Sequence, residues 1–143
     1  MPRNIVVVLD FGGQYSHLIA RRIRECGVYS ELVPYTVSAK ELASMKPEGI
    51  ILSGGPASVY APGAPKCNLH IFEMGVPILG ICYGLQLMVQ FLGGSVAPAG
   101  KREYGRTELF IDETSDLFKD IRRKTTCWMS HADYAEMLPQ GFE

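Results

Sequence analysis

The sequence has no apolar run long enough to cross a membrane. It also shows no N-terminal segment with the apolar core and small-residue cleavage site of a signal peptide. Four cysteines are present, but no C-x-x-C pair, so neither a zinc knuckle nor a thioredoxin-type redox motif is indicated. Because nothing in the sequence directs export, we expect a cytoplasmic protein whose cysteines stay reduced.

The sequence also has no marked excess of charge of either sign. The formal net charge is -1, so no overall field attracts the chain to nucleic acid or to an anionic membrane. The three histidines share no metal-ligand spacing, and we expect no metal site. Both the Walker pattern and G-x-G-x-x-G are missing, which argues against a nucleotide-binding loop. The 143 residues are enough for one globular domain with its own core.

Apolar runs alternate with helical patterns along the chain. Residues 5–9 form a continuous apolar run typical of a buried parallel strand, and residues 16–26 have helical spacing, with Leu18, Ile19 and Ile23 on one face. Gly27 is placed to end this helix. The spacing of Ser38 and Glu41 predicts a capping box at the start of the next helix. Further strands are predicted at 29–33, 49–53, 76–81, 107–111 and 126–130, and further helices at 38–45, 68–74, 85–92 and near 117–118. This alternation predicts a three-layer α/β domain with an open, mostly parallel, flavodoxin-like sheet.

The strongest chemical signal is Gly-Ile-Cys-Tyr-Gly at residues 80–84, between a predicted strand and a predicted helix. This is the arrangement of a nucleophile elbow, G-x-S-x-G, with Cys82 in place of the serine. The flanking glycines relieve crowding at such a turn, and the helix N-terminus favours a thiolate. The N–H of Tyr83 can stabilise an oxyanion. We interpret Cys82 as a nucleophile; the alternative is a buried core cysteine beside a tight turn.

A pair of glycines, Gly54 and Gly55, follows the third predicted strand. Adjacent glycines allow backbone N–H groups to approach a reacting carbonyl, as a second oxyanion donor must. A simple turn explains the pair equally well. A phosphate-binding loop is a weaker alternative, since the Walker lysine is missing.

The segment 128–133, Trp-Met-Ser-His-Ala-Asp, places His131 near the end of a predicted strand. A histidine beside a cysteine is the usual thiol-activating arrangement. The alternative is a strand-end turn in which Asp133 caps neighbouring N–H groups. Both interpretations stay open. His17 is placed to line the same cleft, whereas His70 is expected at or near the surface of a helix.

Taken in this order, these segments resemble the class I (triad-type) glutamine amidotransferases. The opening segment 10–15, Asp-Phe-Gly-Gly-Gln-Tyr, and the segment 128–131, Trp-Met-Ser-His, resemble more selectively the amidotransferase domains of GMP synthetases. Other matching segments are residues 20–25, 51–56, 80–86 and 102–105. The resemblance extends over essentially the whole chain.

The resemblance implies a role for each matching residue. Cys82 would attack the side-chain amide of glutamine, form a glutamyl thioester and release ammonia. The amides of Gly55 and Tyr83 would form the oxyanion hole. The residues that would hold the amino acid part of glutamine are Gln86, Ser130 and His131.

The resemblance implies no cofactor for this domain. It implies a separate ATP-dependent synthetase domain of the same polypeptide, with ATP and Mg²⁺, which aminates adenylated XMP to GMP. The full-length protein would act on glutamine and is expected as a homodimer.

The sequence lacks one motif of the class I glutamine amidotransferases, the His-Pro-Glu segment. In that family the general base is a histidine in a later His-Pro-Glu segment, and no His-x-Glu occurs in this sequence. We therefore expect residues 1–143 to be an amidotransferase domain that is incomplete at its C-terminus and lacks the synthetase domain. Because loss of the base costs several orders of magnitude in rate, we expect little or no glutaminase activity from this chain alone.

Three alternatives remain at this point. One is the amidotransferase subunit of another pathway, such as anthranilate or carbamoyl phosphate synthesis. Another is a non-catalytic docking or regulatory fragment, which the missing base favours. The weakest is a flavodoxin-like binding module, because it leaves the cysteine elbow unexplained.

Overall fold

The computed structural model describes residues 4–112 and 116–142, apart from the side chains of residues 99–104 and 130–132. Within this part of the chain, no helix is both long enough and apolar enough to cross a membrane. The chain divides into two compact units. The first consists of Met1–Ala97 with Asp133–Glu143, and the second of Pro98–Ala132.

A four-stranded parallel sheet forms the centre of the first unit. Its strands are β1 (Ile5–Asp10), β2 (Tyr29–Pro34), β3 (Gly49–Leu52) and β4 (Ile78–Gly80), in the order β2-β1-β3-β4. The helices are α1 (Ser16–Glu25), α2 (Ala39–Ser44) and α3 (Tyr83–Phe91), with a 3₁₀ turn at Leu69–Glu73. The predicted parallel α/β architecture is confirmed.

Strand β1 lies inside the sheet, and its apolar sequence explains this position. Val7, Val8 and Leu9 are fully buried, as expected for a parallel strand covered on both faces. Leu9 pairs with Val33 of β2 and Leu52 of β3, and Leu52 pairs in turn with Gly80. The carboxyl ends of the four strands therefore meet at one edge, where such sheets place their ligands.

Helix α1 begins and ends close to the predicted residues, and Gly27 at φ +81° ends it as predicted. The predicted buried face is partly wrong. Leu18 is 40% exposed, whereas Ser16 and Ala20 are buried. The hydroxyl of Ser30 in β2 donates a hydrogen bond to the Ala20 carbonyl, so the face with Ala20 lies against the sheet and Leu18 points towards solvent.

Helix α2 opens with the predicted capping box. The side chain of Ser38 accepts a hydrogen bond from the N–H of Glu41, and the carboxylate of Glu41 accepts one from the N–H of Ser38. The helix predicted at 68–74 is instead the short 3₁₀ turn, capped by Asn68. His70 on this turn is exposed, as predicted. Its Nδ1 lies 3.0 Å from a carboxylate oxygen of Glu73.

The second sheet has two strands, β5 (Ser95–Phe110) and β6 (Lys124–Met137). Both are longer than the predicted strands at 107–111 and 126–130. The second unit also contains a 3₁₀ turn at Asp116–Phe118, where a short helix is predicted.

Candidate active site

Cys82 occupies the turn between β4 and α3. Its φ of +50° and ψ of -111° are rarely adopted by a residue with a side chain. Two hydrogen bonds hold this turn against the end of β3, from Ile81 N–H to the Leu52 carbonyl at 3.0 Å and from Gly84 N–H to the Ser53 carbonyl at 3.1 Å. A third closes the turn itself, from Gly84 N–H to the Ile81 carbonyl at 3.0 Å. The predicted strand–turn–helix geometry is confirmed.

The two glycines of this turn leave no room for a side chain. A Cβ on Gly80 would lie 2.6 Å from the Cα of Leu85. A Cβ on Gly84 would lie 2.6 Å from the Cβ of Leu52 and collide with the Leu52 carbonyl. Close packing of the turn against β3 therefore requires glycine at both positions.

The glycine pair after β3 lies beside the elbow. A Cβ on Gly54 would contact the Cβ of Cys82 at 3.5 Å, whereas a Cβ on Gly55 would meet the Phe11 carbonyl oxygen at 2.5 Å. Among the described residues, the N–H groups of Gly55 and Tyr83 have no hydrogen-bond acceptor. Two N–H donors without a described acceptor therefore lie in the region around Cys82. Tyr83 follows Cys82 in the sequence, and Gly55 follows Gly54, which lies beside Cys82 in space.

The ring of Tyr83 fixes the first turn of α3. The ring is buried and lies 5.4 Å from that of Phe11, and its hydroxyl donates a hydrogen bond to the Pro65 carbonyl. Burial raises the pKa of Tyr83 to about 12, so the hydroxyl stays protonated at neutral pH. The side chain of Tyr83 therefore anchors the turn, and its backbone N–H is the group left for chemistry.

The four cysteines differ in their exposure, and none is in a disulfide. Cys26 is exposed, Cys82 and Cys127 are half-buried, and Cys67 is buried. Burial raises the pKa of the Cys67 thiol to about 11. Cys67 is therefore a core residue, whereas Cys82 can be reached from solvent.

We expect Cys67 to resist alkylation in the native protein. A pKa raised from 9.0 to about 11 lowers the thiolate fraction at pH 8 about 100-fold, and burial restricts access as well. Iodoacetamide at pH 8, followed by peptide mass spectrometry, should modify Cys26 rapidly and leave Cys67 intact. In urea the two thiols should react at similar rates. Native-state modification of Cys67 at the rate of Cys26 would contradict its burial.

His17 lies at the carboxyl edge of the sheet. It lines a cavity of about 570 Å³ at the ends of β1 and β2, and the lining of this cavity does not include Cys82. The residues that line it are Asp10, Phe11, Gly12, His17, Leu32, Val33, Pro34, Tyr35 and Pro65. The expectation that His17 lines the cleft at Cys82 stays a prediction.

Gln86 is buried one turn into α3, at 6% exposure. Its side-chain Nε2 donates a 3.1 Å hydrogen bond to the backbone carbonyl of Asp133 in β6. Ser130 and His131 belong to the same strand, but their side chains lie outside the described part of the chain. The predicted roles of these three residues in holding glutamine stay predictions.

The interpretation of Asp133 as a cap for neighbouring N–H groups is wrong. Its carboxylate is buried and accepts hydrogen bonds from the hydroxyls of Ser58 and Tyr60, both at 2.7 Å. These partners are 75 and 73 residues away in sequence. The reason is that β6 continues through residue 133 as an extended strand instead of turning there. Neither Ser58 nor Tyr60 stands out in the sequence.

In the described part of the chain, no group of three or more His, Cys, Asp or Glu side chains is placed to hold a metal ion.

Comparison with known proteins places this geometry in a family. Residues 7–143 match the family described as glutamine amidotransferase class-I. Over all 143 residues the chain is 59% identical to a GMP synthase [glutamine-hydrolyzing] from Caldanaerobacter subterraneus, and 55% identical to the one from Campylobacter lari. The chain spans 28% of the length of each of these relatives.

Solved structures agree with this assignment. The crystal structure of a protein described as a GMP synthase subunit, from Thermoplasma acidophilum, superimposes with a TM-score of 0.80 at 31% identity, over 96% of this chain and 69% of the other. A glutamine amidotransferase from Thermotoga maritima, 19% identical, shares the fold with a TM-score of 0.74, over 96% of this chain and 64% of the other. Since the family match extends over nearly the whole sequence, the chain belongs to the class-I glutamine amidotransferases.

Proposed function

We propose that this chain is the glutamine-hydrolysing part of a GMP synthase, with Cys82 as the nucleophile. The observation that carries the proposal is the elbow itself. Cys82 sits at φ +50° between a strand and a helix, in reach of solvent and beside Gly54. A strained backbone at a half-buried thiol, next to two N–H donors without an acceptor among the described residues, suits covalent catalysis better than packing.

The reaction starts with the Cys82 thiolate, which attacks the side-chain amide carbon of glutamine. Negative charge then develops on the amide oxygen, and the N–H groups of Gly55 and Tyr83 donate hydrogen bonds to it. The carbon–nitrogen bond breaks, and the nitrogen takes up a proton and leaves as ammonia. Water hydrolyses the glutamyl thioester, which releases glutamate and restores the thiol. The sum is glutamine and water to glutamate and ammonia.

Proton transfer to the leaving nitrogen needs a general acid. The family resemblance assigns this step to a histidine in a His-Pro-Glu segment, a pattern that the 143 residues do not contain. We therefore propose that this chain by itself forms the covalent bond to a glutamine-like electrophile but turns glutamine over very slowly.

The relatives suggest the larger context. They are named as glutamine-hydrolysing GMP synthases at 52–59% identity, which does not favour the anthranilate or carbamoyl phosphate pathways. In such a protein, a synthetase domain with ATP and Mg²⁺ would use the ammonia to aminate XMP to GMP. We also propose that the full-length enzyme is cytoplasmic and homodimeric.

A diazo-ketone analogue of glutamine tests the nucleophile. The thiolate displaces N₂ from the protonated diazomethyl ketone and leaves a stable thioether. We expect one adduct, on Cys82, which L-glutamine suppresses and D-glutamine does not, measured by intact-protein and peptide mass spectrometry. Labelling at the rate of the exposed Cys26, without protection by L-glutamine, would contradict the proposal and favour a non-catalytic docking fragment.

A further inference from the structure

A buried carboxylate joins two parts of the first unit that carry the candidate site. Asp133 is 6% exposed, and both oxygens of its carboxylate accept hydrogen bonds from hydroxyls, Oδ2 from Ser58 and Oδ1 from Tyr60. At 2.7 Å both have the ordinary length of O–H···O hydrogen bonds. No ion pair to Asp133 is found in the described part of the chain. Burying a carboxylate costs free energy, which the two hydrogen bonds from Ser58 and Tyr60 offset. Apolar side chains would fill the same space without this cost, so the network points to a role beyond packing.

The hydroxyl partners belong to the segment that follows β3. Ser58 and Tyr60 come shortly after Gly54 and Gly55, so their position limits where the glycine pair can lie. The Gly55 N–H is one of the two donors near Cys82 that have no acceptor among the described residues. The Asp133 carboxylate therefore restrains the segment that carries a proposed oxyanion donor.

The backbone of the same residue contacts the other side of the site. The Asp133 carbonyl accepts the hydrogen bond from Gln86 Nε2. Gln86 is attached to the elbow, because its N–H donates to the Cys82 carbonyl at 3.0 Å. One residue of β6 thus holds both the segment after β3 and the helix that follows the nucleophile.

From these contacts we infer that Asp133 is a positioning residue, which sets the distance between the Gly55 N–H and the carbonyl group attacked by Cys82. This inference rests on the proposed function. Asp133 itself does not touch the substrate. Its carboxylate acts through Ser58 and Tyr60, so its loss should slow acylation while glutamine binding and the intrinsic reactivity of the thiol change little.

The hydroxyl of Tyr60 provides a direct readout of the network. Its hydrogen bond to the Asp133 carboxylate raises the pKa of Tyr60 above its usual value of 10.0, because the carboxylate stabilises the protonated phenol. The contribution of this bond to stability is therefore complete below the usual pKa and is lost as the pH rises through the raised one. In Asp133→Asn the pKa of Tyr60, followed by ¹³C-tyrosine NMR, should fall towards 10.0.

The main experiment compares Asp133→Asn with the wild type, using the diazo-ketone analogue over a range of concentrations. The asparagine keeps the backbone carbonyl and the side-chain volume but replaces one acceptor oxygen by a donor. We expect the maximal rate of Cys82 alkylation by the analogue to fall about 10- to 100-fold, the effect of a misplaced group near the reacting atoms, because the ketone oxygen takes the place of the amide oxygen of glutamine. The half-saturating concentration and the iodoacetamide rate at Cys82 should each stay within about twofold, because no substrate contact is removed.

Two further variants keep the test decisive. Asp120→Asn makes the same charge change at an exposed position and should match the wild type in every measurement. Tyr60→Phe removes one hydroxyl and leaves Asp133 in place, and it should reduce the maximal alkylation rate in the same selective way. It serves as the test if Asp133→Asn fails to fold. In the double variant the two losses should be less than additive, since both act through one contact.

The outcomes separate the two proposals. Failure of glutamine-protected labelling in the wild type contradicts the proposed function. Normal labelling in the wild type, together with an unchanged maximal rate in folded Asp133→Asn or in Tyr60→Phe, overturns the positioning role alone. A loss in which binding, iodoacetamide reactivity and alkylation by the analogue fall together also overturns it, because general destabilisation then explains the result.

Discussion

Replacing Cys82 by alanine is expected to abolish glutamine-protected labelling completely, and replacing it by glycine is expected to do the same while relieving backbone strain. The first effect follows because no other described thiol combines access to solvent with the elbow geometry: Cys67 is buried, Cys26 lies just beyond the end of α1, and Cys127 lies within β6. Cys82→Ser should also fail to label, because a hydroxyl is far less ionised than a thiol. The matched control Cys26→Ser should label like the wild type.

The second effect follows from the backbone. Cys82 has φ +50° and ψ -111°, a conformation that costs a residue with a side chain about 1–3 kcal/mol and glycine much less. We therefore expect Cys82→Gly to raise the free energy of unfolding by about 1 kcal/mol relative to Cys82→Ala, measured by urea denaturation. Equal stability of the two variants would show that the turn stores no strain at residue 82, which would contradict the proposed nucleophile elbow.

Gly84→Ala is expected to have the largest effect on stability. The added Cβ would lie 2.6 Å from the Cβ of Leu52 and closer still to its carbonyl group, which is backbone and cannot swing aside. Overpacking of this kind costs about 1–3 kcal/mol and more where backbone must move, so we expect a loss of about 3 kcal/mol. Any relief requires α3 to move away from β3, which would displace Cys82 and suppress diazo-ketone labelling in the protein that remains folded.

The matched control for this substitution is Gly49→Ala at the start of β3. A Cβ there would meet only the Val6 side chain, at an ordinary 3.7 Å. We expect a change within about 0.5 kcal/mol and unaltered labelling. Urea unfolding curves for both variants measure the difference. If Gly84→Ala is as stable as Gly49→Ala, the turn is not packed against Leu52 as described.

The sequence alone located the elements whose signals are local. An unbroken apolar run indicated β1, the Ser38–Glu41 spacing indicated the capping box, and glycines on both sides of Cys82 indicated the elbow. In each case the residues that form the structure are near neighbours in the chain, so composition and spacing carry enough information. The family resemblance added roles for Gly55, Tyr83, Gln86, Ser130 and His131, and these remain predictions.

The tertiary structure alone decided which distant groups meet. Leu18 has the spacing of a buried helix face, yet α1 lies against the sheet with the face that carries Ala20, whose carbonyl accepts a hydrogen bond from the Ser30 hydroxyl of β2. Asp133 has the sequence position of a local cap but binds hydroxyls 73 and 75 residues away. Hydrogen bonds of this range depend on where the sheet and its connections bring the chain back together, and neither periodicity nor motif spacing records that position.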